Sequence, residues 1–138
     1  MIQGSSKNEL EEVLIPQLQF SKRGGLLPVI VQEFDSGQVL MLGYANEEAF
    51  QKTLKVRKAT FWSTSRKKLW TKGETSGNYL LIKNIMVDCD QDAIIYQVEL
   101  MGDGVCHTFN QKGKNRKACF YRNYTIEKNE LEFIEGME

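Results

Sequence analysis

The residues best suited to chemistry are concentrated between positions 87 and 121. This stretch holds every cysteine of the chain and its single histidine, namely Cys89, Cys106, Cys119 and His107. It also holds three carboxylates at alternate positions, Asp88, Asp90 and Asp92. Thiolates and imidazole suit a soft or borderline metal such as zinc, whereas clustered carboxylates suit a hard ion such as Mg²⁺. This stretch is therefore the first place to seek a function.

The three aspartates predict a site for a hard divalent cation. On an extended strand alternate side chains share a face, so these carboxylates would point the same way and repel one another. A Mg²⁺ ion with waters in its shell would relieve that repulsion. Glu99 completes the carboxylate spacing of a calcium EF-hand loop, but Ala93 stands where that loop requires glycine, so we reject this reading.

The cysteines lack the paired C-x-x-C spacing of a structural zinc ribbon. Three thiolates with an open fourth position would form a catalytic zinc site, while three unrelated buried thiols fit the spacing equally well. His107 directly follows Cys106, and adjacent strand residues face opposite ways. The pattern therefore favours His107 as a general acid or base beside the metal over a fourth ligand.

The composition indicates one soluble, cytoplasmic domain. The chain has 138 residues, zero net charge, 41% hydrophobic residues and an odd number of cysteines. No apolar signal core or membrane-length run is present, so we expect reduced thiols and no membrane partner. The cations are segregated: no acidic residue falls at positions 49–73 or 104–126. This distribution favours a compact phosphorylated ligand over nucleic acid.

The hydrophobic pattern predicts an α+β fold of mainly antiparallel strands with a few short helices. We expect a helix over residues 6–17 capped by Ser6, a hairpin of residues 26–34 and 38–44, and a helix from Asn46 to about Arg57. Further strands are predicted at 59–63, 79–87 and 93–101, with another carrying Cys106. The predicted organisation is an N-terminal appendage (1–19), a main domain (20–124) and an acidic C-terminal tail or short helix (125–138).

Two loops, 63–66 and 72–77, are rich in glycine, hydroxyl groups and cations. Such loops can bind phosphate oxygens through backbone N–H groups, hydroxyls and a guanidinium. The same residue types are also ordinary turn formers, so these loops alone do not establish a phosphate site.

Four motifs taken together resemble those of the phosphoribosyl-AMP cyclohydrolase family of histidine biosynthesis. They are Trp70-Thr71-Lys72-Gly73-Glu74-Thr75-Ser76-Gly77, Asp88-Cys89-Asp90-Gln91-Asp92, Cys106-His107-Thr108 and Cys119-Phe120-Tyr121. The likeness continues upstream and covers roughly residues 20–124 in the family's order.

The resemblance implies an intertwined homodimer with active sites at the subunit interface. Zinc would be bound by Cys89, Cys106 and Cys119, the last from the partner chain, and Mg²⁺ by Asp88, Asp90 and Asp92. Zinc-bound hydroxide would attack C6 and open the adenine ring of phosphoribosyl-AMP between N1 and C6, with His107 moving the proton. The implied substrate-binding residues are Ser63, Ser65, Arg66, Trp70, Lys72, Glu74, Thr75, Ser76 and Gly77.

Two features depart from the family pattern. The stretch between the second and third cysteines, residues 108–118, is longer than usual, and position 78, often histidine in the family, is Asn78. An alternative function is a non-enzymatic zinc module that binds a nucleotide or nucleic acid through the basic loops. That alternative gives no reason for the three clustered aspartates.

Overall fold

The computed structural model describes residues 7–138, with side chains from Glu9 onward, and has an α+β architecture. The helical elements are α1 (Lys7–Glu12), a 3-10 turn (Phe20–Arg23) and α2 (Glu47–Val56). The strands are β1 (Leu27–Glu33), β2 (Val39–Ala45), β3 (Thr60–Ser63), β4 (Lys68–Thr71), β5 (Leu80–Val87), β6 (Ile94–Leu100), β7 (Arg122–Thr125) and β8 (Glu130–Phe133). No helix in this part of the chain is long and apolar enough to cross a membrane.

A four-stranded sheet in the order β2-β1-β6-β5 organises the molecule. The β1–β2 pair is antiparallel, as the predicted hairpin requires. Strands β5 and β6 are also antiparallel to each other, while β1 and β6 run parallel. Alternate residues of β1 and β6, such as Val29, Val31, Tyr96 and Val98, are fully buried on one face. This face and the elements packed on it form the core, and the opposite face is left open.

Helix α2 and the β3–β4 hairpin cover the buried face. Asn46 caps α2 by accepting a hydrogen bond from Ala49 N at 2.8 Å, as predicted. Phe61 of β3 is fully buried and lies 5.2 Å, between ring centroids, from Trp70 of β4. Gly43 permits this packing, because a Cβ there would lie 2.7 Å from the Phe61 ring. The hairpin thereby presents Trp70 and the residues after it at one end of the core.

The secondary structure predicted around Cys106 and at the C-terminus is wrong. The residues around Cys106 form bends rather than a regular strand, and the C-terminal segment forms the β7–β8 hairpin rather than a helix. The sequence Glu130-Leu131-Glu132-Phe133 alternates with the period of a strand, which explains the second outcome. Asn129 adopts a positive φ of 54° in the intervening turn.

The N-terminal segment packs against the main domain through Gln91. Helix α1 ends at Glu12, earlier than predicted, and its expected cap Ser6 lies outside the described residues. The Gln91 side chain accepts from Gln17 N at 2.7 Å and donates to Leu10 O at 3.1 Å. Its backbone carbonyl accepts from Gln19 N at 2.9 Å. This one buried residue therefore connects the segment to the turn that carries the aspartates.

Replacement of Gln91 by alanine should release the N-terminal segment. The change removes both side-chain hydrogen bonds, so we expect a loss of about 1–3 kcal/mol in the free energy of unfolding. Hydrogen exchange should accelerate at residues 10–19, and urea unfolding measures the loss. The matched control is Gln111→Ala, which alters an exposed side chain. Unchanged exchange in Gln91→Ala would contradict this role.

Candidate metal and substrate site

Two of the three cysteines are brought together by a tight reversal of the chain, the cysteine hairpin (residues 105–119). Cys106 N donates to Arg116 O at 3.1 Å, and Arg116 N donates to Thr108 O at 3.0 Å. The side chain of Asn110 closes the turn by accepting from Lys112 N and Lys114 N. The longer stretch between these cysteines therefore folds back on itself and returns Cys119 to Cys106.

The Cys106 and Cys119 side chains are close neighbours in space. Partial burial and then the neighbouring Cys106 raise the pKa of Cys119 to about 11. The Cys106 sulfur is also 2.9 Å from Thr108 Oγ1. Burial lowers the pKa of the Lys72 ammonium, and interactions with the two thiols oppose that shift, so Lys72 lies close to both. Such a soft donor pair fits a zinc ion, which would stabilise both thiolates.

Cys89 lies elsewhere, exposed in the turn between β5 and β6. Cys119 N donates to Leu40 O at 2.7 Å on β2, the opposite edge strand. Three strand spacings separate these edges, a distance of about 14 Å. Among the described residues the three sulfur atoms form no common cluster. The structure thus pairs Cys106 with Cys119 in one chain, whereas the resemblance assigned them to different chains.

The three aspartates do come together, but on a turn rather than a strand. We call residues 88–93 the acidic turn; Gln91 adopts a positive φ of 58° within it. Asp88 Oδ1 accepts from Asp92 N at 2.9 Å and from Ala93 N at 3.0 Å. One carboxylate oxygen of each of Asp88, Asp90 and Asp92 lies within 4.8 Å of the others. The expected strand alternation is wrong, yet the turn gives the predicted cluster.

Two cations of the chain already partly neutralise the acidic turn. Asp92 is buried and pairs with Arg23 Nη2 at 2.9 Å and Lys22 Nζ at 3.0 Å. Burial alone would raise the pKa of Asp92, but the hydrogen bonds from Arg23 and Lys22 outweigh it and hold that pKa well below its usual range. Burial is also the main reason that the pKa of Asp88 is raised. A bound metal would therefore compete with Lys22 and Arg23 for Asp92.

The predicted substrate loops border a cavity of about 200 Å³ at the end of the β3–β4 hairpin. Six of the nine predicted residues line it: Arg66, Trp70, Lys72, Glu74, Thr75 and Ser76. Ser63, Ser65 and Gly77 do not, and Ser63 Oγ instead accepts from Arg66 N at 3.1 Å.

Sequence reasoning missed Thr71 and Gly73, which also line the cavity. Gly73 adopts a positive φ of 92°, a conformation that favours glycine. A glycine within the polar loop is therefore the sequence signal for this turn. Lys72 lines the cavity and also lies close to the two thiols, so the loop 72–77 and the Cys106–Cys119 pair form one region. His107 is exposed in a bend directly after Cys106, at the border of that region.

The chain is similar to known proteins over most of its length. The family model described as phosphoribosyl-AMP cyclohydrolase matches residues 41–121. The phosphoribosyl-AMP cyclohydrolase of Solibacter usitatus is 50% identical over 105 residues, covering 76% of this chain and 79% of the relative. That of Streptococcus mutans is 57% identical over 91 residues, covering 66% and 83% respectively.

A third relative, the histidine biosynthesis bifunctional protein of Vibrio cholerae, is 53% identical over 95 residues, covering 69% of this chain and 45% of that protein. The residues matched by the family model include the acidic turn, all three cysteines and His107. The chain belongs to the phosphoribosyl-AMP cyclohydrolase family.

Proposed function

We propose that this chain opens the adenine ring of 1-(5-phosphoribosyl)-AMP by hydrolysis of the N1–C6 bond, a step of histidine biosynthesis. Membership of the family supports the activity. The observation that carries the chemistry is the pair of adjacent thiols, Cys106 and Cys119, beside the Lys72 cavity. No particular observation favours the alternative, a non-enzymatic zinc module, and the cytoplasmic location remains a prediction.

The cysteines would hold one zinc ion per protomer, with Cys106 and Cys119 from one chain and Cys89 from the partner. The fit rests on the donor set: two neighbouring thiols, of which Cys119 has a pKa raised by burial, so that a metal ion would stabilise its thiolate. When bound, zinc lowers the pKa of a coordinated water to about 7 and so supplies a nucleophile near neutral pH. Cys89 completes the set only if a second chain brings it across.

The open face of the sheet supports a second copy as the occupant. Leu42, Ile30, Ile95 and Met86 are direct neighbours across all four strands, and we call them the apolar row. Leu42, Ile30 and Met86 are 49%, 38% and 47% exposed. An uncovered apolar surface of this kind is typical of an interface. For two equivalent sites to form, the two-fold axis through this face must bring each Cys89 to the partner's cysteine hairpin.

The remaining residues would bind the substrate and handle the proton. Arg66 and Lys72 supply cations, and Thr75 and Ser76 supply hydroxyls, around a cavity suited to a phosphate group. Ring opening requires the attacking water to lose a proton and N1 to gain one. His107, exposed beside Cys106, would accept the first proton and deliver it to N1.

The acidic turn would hold Mg²⁺ through Asp88, Asp90 and Asp92. The clustering of three carboxylate oxygens within 4.8 Å fits a hard cation. Because Lys22 and Arg23 already pair with Asp92, the ion would have to displace them or share that carboxylate. Because Gln91 of the same turn holds the N-terminal segment, binding of the ion would also change the contacts of that segment.

The activity itself is tested by exposing the purified, zinc-loaded protein to phosphoribosyl-AMP and following the absorbance of the ring-opened product. Turnover that is lost with a strong chelator and restored by zinc is expected. A protein that holds zinc but never turns over the substrate would contradict the proposed reaction and leave the zinc-module alternative.

Mixtures of inactive variants test how the site is divided between chains. Cys89→Ser and Cys119→Ser should each lose zinc and activity. Mixed after reversible dissociation, they should recover roughly a quarter of wild-type activity, because half the dimers are mixed and each has one intact site. The control mixture of Cys106→Ser with Cys119→Ser should stay inactive. Recovery in that control would instead place Cys119 on the opposite chain from Cys106.

Removal of the His107 imidazole distinguishes between two roles for this residue, proton transfer and metal coordination. His107→Ala should keep zinc and the dimer yet lose activity by about 100-fold or more, the usual scale of general acid–base catalysis. Zinc content and turnover are measured on the same preparation. Loss of zinc in this variant would make His107 a ligand, and full zinc with near-normal turnover would remove both roles.

Competition between Lys22 and Mg²⁺ for Asp92 predicts that removal of this lysine strengthens Mg²⁺ binding. Lys22→Gln should bind Mg²⁺ severalfold more tightly than wild type, because the ion no longer competes with the Lys22 ammonium for Asp92. Asp90→Asn should bind Mg²⁺ more weakly and keep its zinc. Titration calorimetry measures both, with Lys52→Gln, an exposed lysine of α2, as the matched control. Weaker binding in Lys22→Gln would argue against competition.

A further inference from the structure

Two asparagines connect the substrate cavity to the cysteine hairpin. Asn115 Nδ2 donates to the backbone carbonyl of Cys106 at 3.0 Å. Asn78 Nδ2 in turn donates to Asn115 Oδ1 at 3.4 Å. The two side chains thus form a continuous path from the end of the loop 72–77 to the backbone of Cys106, whose thiol we assign to zinc.

We infer that Asn115 and Asn78 are positioning residues, which fix the Cys106 backbone and couple it to the substrate loop. The inference rests on the proposed function, because it concerns the same metal and the same substrate. Neither side chain touches the reacting atoms; each acts through Cys106 or through the loop.

Close packing around Asn78 makes the connection stiff. A Cβ on Gly102 would lie 1.9 Å from Asn78 Oδ1, and a Cβ on Gly73 would lie 2.4 Å from the Asn78 carbonyl carbon. Asn78 is therefore confined between the start of the substrate loop and the chain that leaves β6. A shift of that loop, as when a phosphate binds, cannot be absorbed by free movement of Asn78.

The cysteine hairpin makes Asn115 equally constrained. Position 115 forms an isolated bridge with Phe109, and the next residue, Arg116, both accepts from Cys106 N and donates to Thr108 O. Cys106 is therefore held on three sides, at its N–H by Arg116, at its carbonyl by Asn115 and at its sulfur by Thr108. Of these three residues, Asn115 also bonds to Asn78, which follows the loop 72–77.

The test compares Asn115→Ala and Asn78→Ala, singly and together, with Asn123→Ala as an exposed asparagine control. Zinc affinity is measured by chelator competition, and Co²⁺-loaded protein reports the geometry through its thiolate absorption band. Asn115→Ala should weaken zinc binding about 10- to 100-fold, the usual cost of removing a group that orients a metal ligand. Its cobalt spectrum should differ from that of wild type.

Asn78→Ala keeps the bond from Asn115 to Cys106, so it should raise KM for phosphoribosyl-AMP with a smaller effect on zinc. The double variant should bind zinc no more weakly than Asn115→Ala, because both changes interrupt the same chain of hydrogen bonds. If Asn115→Ala does not fold, Asn78→Ala alone decides: an unchanged KM and cobalt spectrum overturns the inference.

Wild-type zinc affinity and cobalt spectrum in Asn115→Ala, or additive effects in the double variant, would also overturn the inference and leave the proposed function intact. A wild-type protein without zinc or turnover would overturn both.

Discussion

The structure depends most on the chain reversal that returns Cys119 to Cys106. Two backbone hydrogen bonds fix this reversal, from Cys106 N to Arg116 O and from Arg116 N to Thr108 O, and the Asn110 side chain closes the turn. The reversal anchors one thiol pair at the β2 edge of the sheet, whereas Cys89 lies in the turn at the β5 edge. A three-cysteine site is then impossible within one chain, so the proposed chemistry requires a second chain and the exposed apolar row provides a surface for it.

A second constraint is electrostatic. The acidic turn gathers three carboxylates that would repel one another without cations. Lys22 and Arg23 partly supply that charge, and Gln91 in the same turn ties down the N-terminal segment. The segment that reads as an appendage in the sequence is therefore attached to the proposed magnesium site. Metal binding and the position of this segment should be coupled, since both use the same turn.

The sequence predicted those elements that depend on residues close together in the chain. Apolar runs predicted the β1–β2 hairpin and the separate strands β5 and β6, and the cap at Asn46 predicted the start of α2. Residue types and motifs identified the metal candidates and most of the cavity lining. The pairing of Cys106 with Cys119 depends on hydrogen bonds from Arg116 to Cys106 and Thr108, which are too distant along the chain for a local period to reveal. Strand β4 was missed because it is short and polar at its start, Lys68.

The central claim is that each zinc site is built from two chains, and native mass spectrometry tests it most directly. The account predicts a dimer that carries two zinc ions and loses both when Cys89→Ser removes the partner's ligand. Cys106→Ser should give the same loss of metal. A monomer that retains one tightly bound zinc ion would contradict the claim, since within one chain Cys89 stands apart from the other two thiols.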